Sequence, residues 1–197
     1  MNLFILLLII LNPFSQALFL RELFERLSFR DFAYVHARAT LYSFMILGTF
    51  AFIGEPILQH VFQVRIESLQ VFGGLVNLWV AYRFITAGEG STMLFRGEIA
   101  ELAPNITLPY MVGAGGLWIS ILIGRSHDLL VACLMIAGVL VINFLFMLFC
   151  HKVFSDRGHR TAVTISKGFA MLMRVMALFI GAIGVEMIFS GAETLIR

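Results

Sequence analysis

The sequence predicts an all-α membrane protein: six transmembrane helices set out as two inverted three-helix repeats, with helices one and four broken near the midplane. Three observations carry this. Hydrophobic residues make up 60% of the 197 and charged residues only 13%, with a mean hydropathy of +0.94, where soluble domains hold about 45–50% and about 25%. A soluble fold of this size could not hide so much apolar surface, so the lipid bilayer is its solvent and partner. Charge-free apolar runs recur six times along the chain, and two of them carry helix breakers in matching places.

The runs define the spans. Residues 1–20 are uncharged up to Arg21, 39–54 lie between Arg38 and Glu55, and 68–82 lie between Glu67 and Arg83 with apolar character continuing to Ala87. Then come 102–124, 129–151 and a last span of about 168–191 that holds Arg174 and Glu186. A crossing helix needs roughly 20 residues, and each run reaches this once flanking side chains snorkel. The first run has neither a basic segment before it nor a small-residue cleavage site after it, so it reads as a retained helix. The repeats then cover 1–88 and 102–197, joined by a cytoplasmic linker at 89–101. Residues 57–69 place Ile57, Leu58, Val61, Phe62, Ile66 and Leu69 on one helical face and predict a short interfacial helix on the outer surface.

Charge placement sets orientation. Arg21, Arg26, Arg30, Arg38, Arg83, Arg96, Lys152, Arg157, Arg160, Lys167 and Arg174 follow helices one, three and five, leaving only Arg65, Arg125 and Arg197 of the 14 basic residues on the other side. By the positive-inside rule both termini are non-cytoplasmic.

Helix one reads Leu11-Asn12-Pro13-Phe14-Ser15-Gln16. Pro13 lies about 18 Å along the helix, close to the middle of a roughly 30 Å core. Proline removes a backbone donor and clashes with the preceding turn, and Asn12 is suited to cap the half-helix that begins at Pro13. Helix four holds Pro109-Tyr110 and then Gly113, Gly115 and Gly116. Irregular backbone at this depth is tolerated inside protein or against a watery cavity, and paired broken helices point to a transporter's binding site. Helices three and six agree in a smaller way: Arg83 precedes Gly88, and Glu186 precedes Gly191, by the same interval.

These residues resemble the MarC family of inner-membrane proteins. Asn12-Pro13-Phe14 is similar to the family's N-P-F-G element, Gly54-Glu55-Pro56-Ile57-Leu58 with Gly73-Gly74 to its G-E-x-I-L…G-G stretch, and Arg174-Val175-Met176-Ala177 with Glu186 and Gly191 to its R-x-M-G…Q…G ending. Ser15 and Ala177 stand where the family has glycine, Ala114 interrupts its G-P-G, and Glu186 replaces a glutamine. The resemblance implies a bacterial inner-membrane location, inverted repeats, and movement of small neutral amino acids such as alanine or glycine.

The expected site is a small zwitterion held between the broken helices. Its carboxylate would face the half-helix N-termini after Pro13 and Pro109. Gly113, Gly115 and Gly116 would admit close approach, and Asn12 and Gln16, beside Phe14, would supply hydrogen bonds. Glu186 has two readings, an acid snorkelling to the outer interface or a proton-coupling carboxylate; the coupling ion would be a proton or sodium. Arg174, Ala177, Gly181, Gly184 and Gly191 form a small-residue stripe that suits helix packing. Asn143, Asn77 and Trp79 are each open to an interhelical contact or a solute contact.

Enzyme chemistry finds no foothold. His36, His60, His127, His151 and His159 are dispersed without metal-ligand spacing. No Walker motif or dinucleotide fingerprint occurs, so no cofactor and no nucleic acid is expected, and any transport is secondary. Cys133 and Cys150 lie in one apolar stretch and read as inert thiols. The competing expectation is a non-transporting membrane protein with an assembly or regulatory role.

Overall fold

The computed structural model describes residues 2–86, 99–155 and 159–196. They are helical, and no strand occurs among them. The first run is α1 (Leu3–Leu11) and α2 (Pro13–Phe19), followed by the short α3 (Arg21–Arg26). Asn2 caps α1, its side chain accepting from Phe4 N–H. Next comes α4 (Phe29–Pro56), started by Ser28, whose hydroxyl oxygen accepts from Asp31 N–H. A π-helical turn, Ile57–Val61, prolongs α4, and α5 spans Ile66–Thr86.

The second part opens with α6 (Ile99–Ile106), a π-helical turn at Thr107–Met111, and α7 (Ala114–Ser126). Then come α8 (Leu129–Ser155) and α9 (His159–Ile196). The linker predicted at 89–101 lies outside the described residues as far as 98, and its last three residues are already helical in α6.

Several helices outrun their charge-free intervals. The helix α4 begins ten residues before Ala39, and α9 is 38 residues long, about 57 Å against a hydrocarbon core of about 30 Å. Charge marks where lipid ends, whereas a cap marks where a helix ends. Among the described residues three segments are long and apolar enough to cross a bilayer, Phe29–Val61, Leu129–Phe154 and Ala170–Ile196, and Leu3–Leu18 is apolar but shorter. The remaining predicted spans are diluted by polar residues, as α5 is by Gln70, Asn77 and Arg83, or interrupted, as α6 and α7 are.

The predicted interfacial helix is not a separate element. Its first residues belong to the turn that ends α4, its last open α5, and Gln63 adopts φ 54° between them. Leu58 and Ile66 turn inward, while Val61 and Phe62 are exposed.

The distribution of side chains is that of a protein solvated by lipid. Leu41, Met45 and Phe52 on α4, Phe72, Leu75 and Trp79 on α5, and Leu134, Leu145 and Phe149 on α8 are exposed. Asn12, Gln16, His36, Ser43, Asn77, Thr107, Ser120 and Asn143 are buried. A soluble protein rarely shows so continuous an apolar surface.

Glycines set the closest approaches. On α5, Gly74 faces Gly184 of α9, where an added Cβ would lie 2.6 Å from the Gly184 carbonyl oxygen. Buried Ala177, Gly184 and Gly191 form the packing stripe on α9. On α7, Gly124 lies against the backbone of Ala51 on α4.

Candidate functional site

Proline has no N–H to donate, so the chain at Pro13 must satisfy its carbonyls another way. Asn12 turns into the left-handed region at φ 45°, and its N–H donates to the carbonyls of Leu8 and Ile9 at 3.2 Å each. Asparagine tolerates this conformation better than most residues. Its side-chain oxygen accepts from Ser15 N–H at 3.3 Å and caps α2. The Ser15 hydroxyl donates back to the Asn12 carbonyl at 2.9 Å. Gln16 donates its amide to the Leu11 carbonyl at 2.7 Å, and its side-chain oxygen accepts from Asn143 of α8 at 3.1 Å.

The second break is gentler. Leu108 is extended at φ −114°, ψ 118°, and Val112 N–H reaches the Thr107 carbonyl at 2.9 Å across the π-helical turn. The Thr107 hydroxyl donates to the carbonyls of Ala103 at 2.9 Å and Ala39 at 3.3 Å, which ties the turn to α4. Gly113 is extended at the N-cap of α7, and no side chain closes that first turn. The side chains of Pro109 and Tyr110 lie outside the described residues.

A cavity of about 110 Å³ lies between the two breaks. Asn12 and Ser15 form one wall, Gly113, Ala114, Gly115 and Gly116 a second, and Val76, Asn77, Val80 and Phe84 of α5 a third. Leu7, Ile10, Leu11, Met111 and Ile180 complete it. An apolar cavity of about 150 Å³ admits benzene, so this volume suits a solute of roughly four to six non-hydrogen atoms.

The polar groups are few and specific. Asn12 is 3% exposed, and its Nδ2 has no partner. Asn77 is buried, and its Nδ2 meets only the Met187 sulfur, at 3.5 Å. A Cβ on Gly115 would lie 2.7 Å from Asn77 Nδ2, so glycine there makes room for that amide. The open first turn of α7 presents backbone N–H groups and the positive end of the helix dipole. No titratable side chain lines the cavity among the described residues. The arrangement can bind a neutral or zwitterionic solute through hydrogen bonds, without a fixed counter-ion.

Of the residues expected at the site, Asn12, Gly113, Gly115 and Gly116 therefore line one cavity. Pro13 and Phe14 line a different one, of about 250 Å³, with Leu8, Ile9, Ile142, Phe146 and Met176, and Asn12 borders both. Phe14 packs edge-on against Phe146 there at 5.2 Å. Gln16 is turned to Leu11 and Asn143, because the Ser15 N–H that would reach the Leu11 carbonyl is turned to Asn12 instead and leaves that carbonyl in need of a donor. Glu186 is exposed on α9, whereas its neighbours Gly184 and Met187 are buried, so it does not reach the cavity.

Asn143 makes the interhelical contact, Trp79 lies outward under the Arg83 guanidinium at 5.5 Å, and Asn77 joins the cavity. The spacing of Gly73, Gly74 and Asn77 at i, i+1 and i+4 was the available signal for a packed polar face on α5.

A family model described as MarC family integral membrane protein matches residues 1–196. The chain is 28% identical over 191 residues to a UPF0056 membrane protein of Pyrococcus horikoshii, covering 95% of this chain and 90% of that one. It is 29% identical over 157 residues to the UPF0056 membrane protein YhcE of Escherichia coli, covering 76% and 71%. To the UPF0056 membrane protein YvbG of Bacillus subtilis it is 24% identical, covering 98% and 93%. No solved structure matches the chain.

Proposed function

We propose that this chain, which belongs to the MarC family of integral membrane proteins, is a secondary transporter that carries a small neutral solute through the cavity between its broken helices. The observation that carries the reading is the buried, partnerless amide of Asn12, a residue that lines the cavity whose other wall is the open first turn of α7. A buried amide hydrogen left without a partner costs about 1–3 kcal/mol. A membrane scaffold has no reason to carry that cost, whereas a binding site recovers it when ligand arrives.

A zwitterion the size of glycine or alanine fits the volume. Its carboxylate would accept from Asn12 Nδ2 and the N–H groups of α7, and its ammonium would donate to the Asn77 side-chain oxygen and the Ser15 hydroxyl. Two inverted halves remain the best reading of the chain. In support, each half has one broken element, α1–α2 or α6–α7, then one long helix, α4 or α8, then a helix of the α5–α9 pair. That order and the basic residues support six crossings with both termini non-cytoplasmic, and the family resemblance supports an inner-membrane location.

The test is reconstitution in liposomes with labelled glycine and alanine, with and without proton and sodium gradients. Saturable uptake that Asn12→Gly lowers at least tenfold supports the reading. Absence of flux for every solute tried assigns the scaffold to an assembly or regulatory role instead.

A further inference from the structure

The outer side of α4 carries an arginine that its own helix holds in place. Tyr34, Arg38 and Tyr42 stand one helical turn apart and share a face. The guanidinium lies 5.7 Å from the centroid of each tyrosine ring, and its Nη2 donates to the Tyr42 hydroxyl oxygen at 2.7 Å. The phenol oxygen accepts there, so the Tyr42 hydrogen is left to donate elsewhere. Tyr34 is exposed, and Leu41, Met45 and Phe52 continue the same exposed side of the helix. Among the described residues no carboxylate pairs with Arg38: Glu25 is engaged with Arg21, and Glu55 with Arg125.

The position of Arg38 along the helix matches the headgroup level of a bilayer. About 25 Å of helix separates it from Glu55, and about 24 Å separates Glu67 from Arg83 on α5. Each distance spans a hydrocarbon core of about 30 Å once the long side chains reach outward. The helices α4 and α5 are joined through Ile57–Arg65, so both arginines stand at the ends away from that connection. Arg83 repeats the arrangement, with its guanidinium 5.5 Å from the Trp79 ring centroid and exposed Tyr82 beside it. Tyrosine and tryptophan favour this level because one end of the ring is apolar and the other polar.

We propose that Arg38, with Tyr34 and Tyr42, forms a binding site for the headgroup of an anionic phospholipid. Two phosphate oxygens accept from the planar guanidinium fork, which recognises phosphate in this bidentate way, and the Tyr42 hydroxyl donates a further hydrogen bond. The two rings and the Tyr42 oxygen already fix the fork, so little side-chain freedom is lost on binding. The acyl chains then run along Leu41, Met45 and Phe52, which continue inward from Arg38 on the same face. A zwitterionic headgroup offers the same phosphate, but it brings an ammonium that Arg38 repels, so a net negative headgroup is preferred.

Calorimetric titration of the full chain in detergent micelles tests the site. Dioctanoyl phosphatidylglycerol is the anionic probe, dioctanoyl phosphatidylcholine the zwitterionic one, and inorganic phosphate the soluble one. The wild type should bind the glycerol lipid more tightly than either of the others. Arg38→Gln should weaken that binding roughly fivefold, the size expected of one arginine at an anionic surface. Exposed Arg65, in the connection between α4 and α5 and without a ring contact, supplies the control: Arg65→Gln removes the same charge and should leave the affinity unchanged. Tyr42→Phe keeps the ring and every charge and should weaken binding by a smaller factor, which decides the matter if Arg38→Gln does not fold. A loss in Arg38→Gln no larger than in Arg65→Gln overturns the site, and so does unchanged affinity in Tyr42→Phe. Equal affinity for phosphatidylcholine overturns the preference for an anionic headgroup, and inorganic phosphate binding as tightly as the lipid overturns the assignment to lipid.

Discussion

At Asn12 a single residue does three jobs: it takes the left-handed conformation, caps α2 and lines the cavity with a partnerless amide. Substitutions separate them. Asn12→Gly keeps the backbone conformation and removes the cap and the amide, whereas Asn12→Ala also forces a Cβ into the left-handed region. Losing the cap costs roughly a few tenths of a kcal/mol with glycine and about 1 kcal/mol with alanine, and alanine adds about 1–2 kcal/mol for the conformation. Melting in detergent should therefore rank wild type above Asn12→Gly, and Asn12→Gly above Asn12→Ala; equal melting of the two variants would contradict the strain argument. The glycines of α7 differ in the same instructive way. Gly113 has open space where a Cβ would go, so Gly113→Val should fold normally, while Gly115→Ala must displace Asn77 and should melt lower. Half of the site was legible in the sequence, because proline and glycine announce backbone that cannot stay helical. Asn77 was legible only as an open choice between an interhelical and a solute contact, since it sits in a regular helix and its partner Gly115 is distant in sequence. Gln16 was legible as polar but not in its direction, which the freed Leu11 carbonyl decides.

Elements are held together by contacts of very unequal weight. Where α4 ends, Gly54 meets Ile121, and Glu55 pairs with Arg125 at 3.2 Å, with side chains 30% and 50% exposed. Such an open ion pair contributes about 0–1 kcal/mol, so Glu55→Gln should shift the melting point little. One turn earlier Gly124 lies against the Ala51 backbone, where a methyl group meets the carbonyl rather than a movable side chain. Gly124→Ala should thus abolish or severely lower recovery of folded protein, measured by size-exclusion chromatography in detergent; normal recovery would show that α4 and α7 can separate there. Helix order and the places of both breaks were readable from hydropathy and proline. Helix ends were read too short, because α4 continues past the last uncharged residue to its Ser28 cap, and Asp31 in its first turn was the missed sign.

For the whole molecule, large apolar side chains lie both in the core and on the outer surface, and amides, hydroxyls and imidazoles are buried among the inner ones. Two halves that insert in opposite senses should place residues 2 and 196 on the same, non-cytoplasmic side; cysteines introduced there, on a background lacking Cys133 and Cys150, should both react with an impermeant maleimide added outside intact cells, and labelling of one alone would break the six-crossing order. The central claim is that the space between Asn12 and α7 is where solute binds. The most direct test is labelled alanine uptake into liposomes by wild type, Asn12→Gly and Gly113→Val, each first shown to be folded. The account predicts saturable uptake by wild type and at least a tenfold loss in both variants, one missing the amide and the other crowding the cavity. Uptake by both variants at the wild-type rate would contradict it.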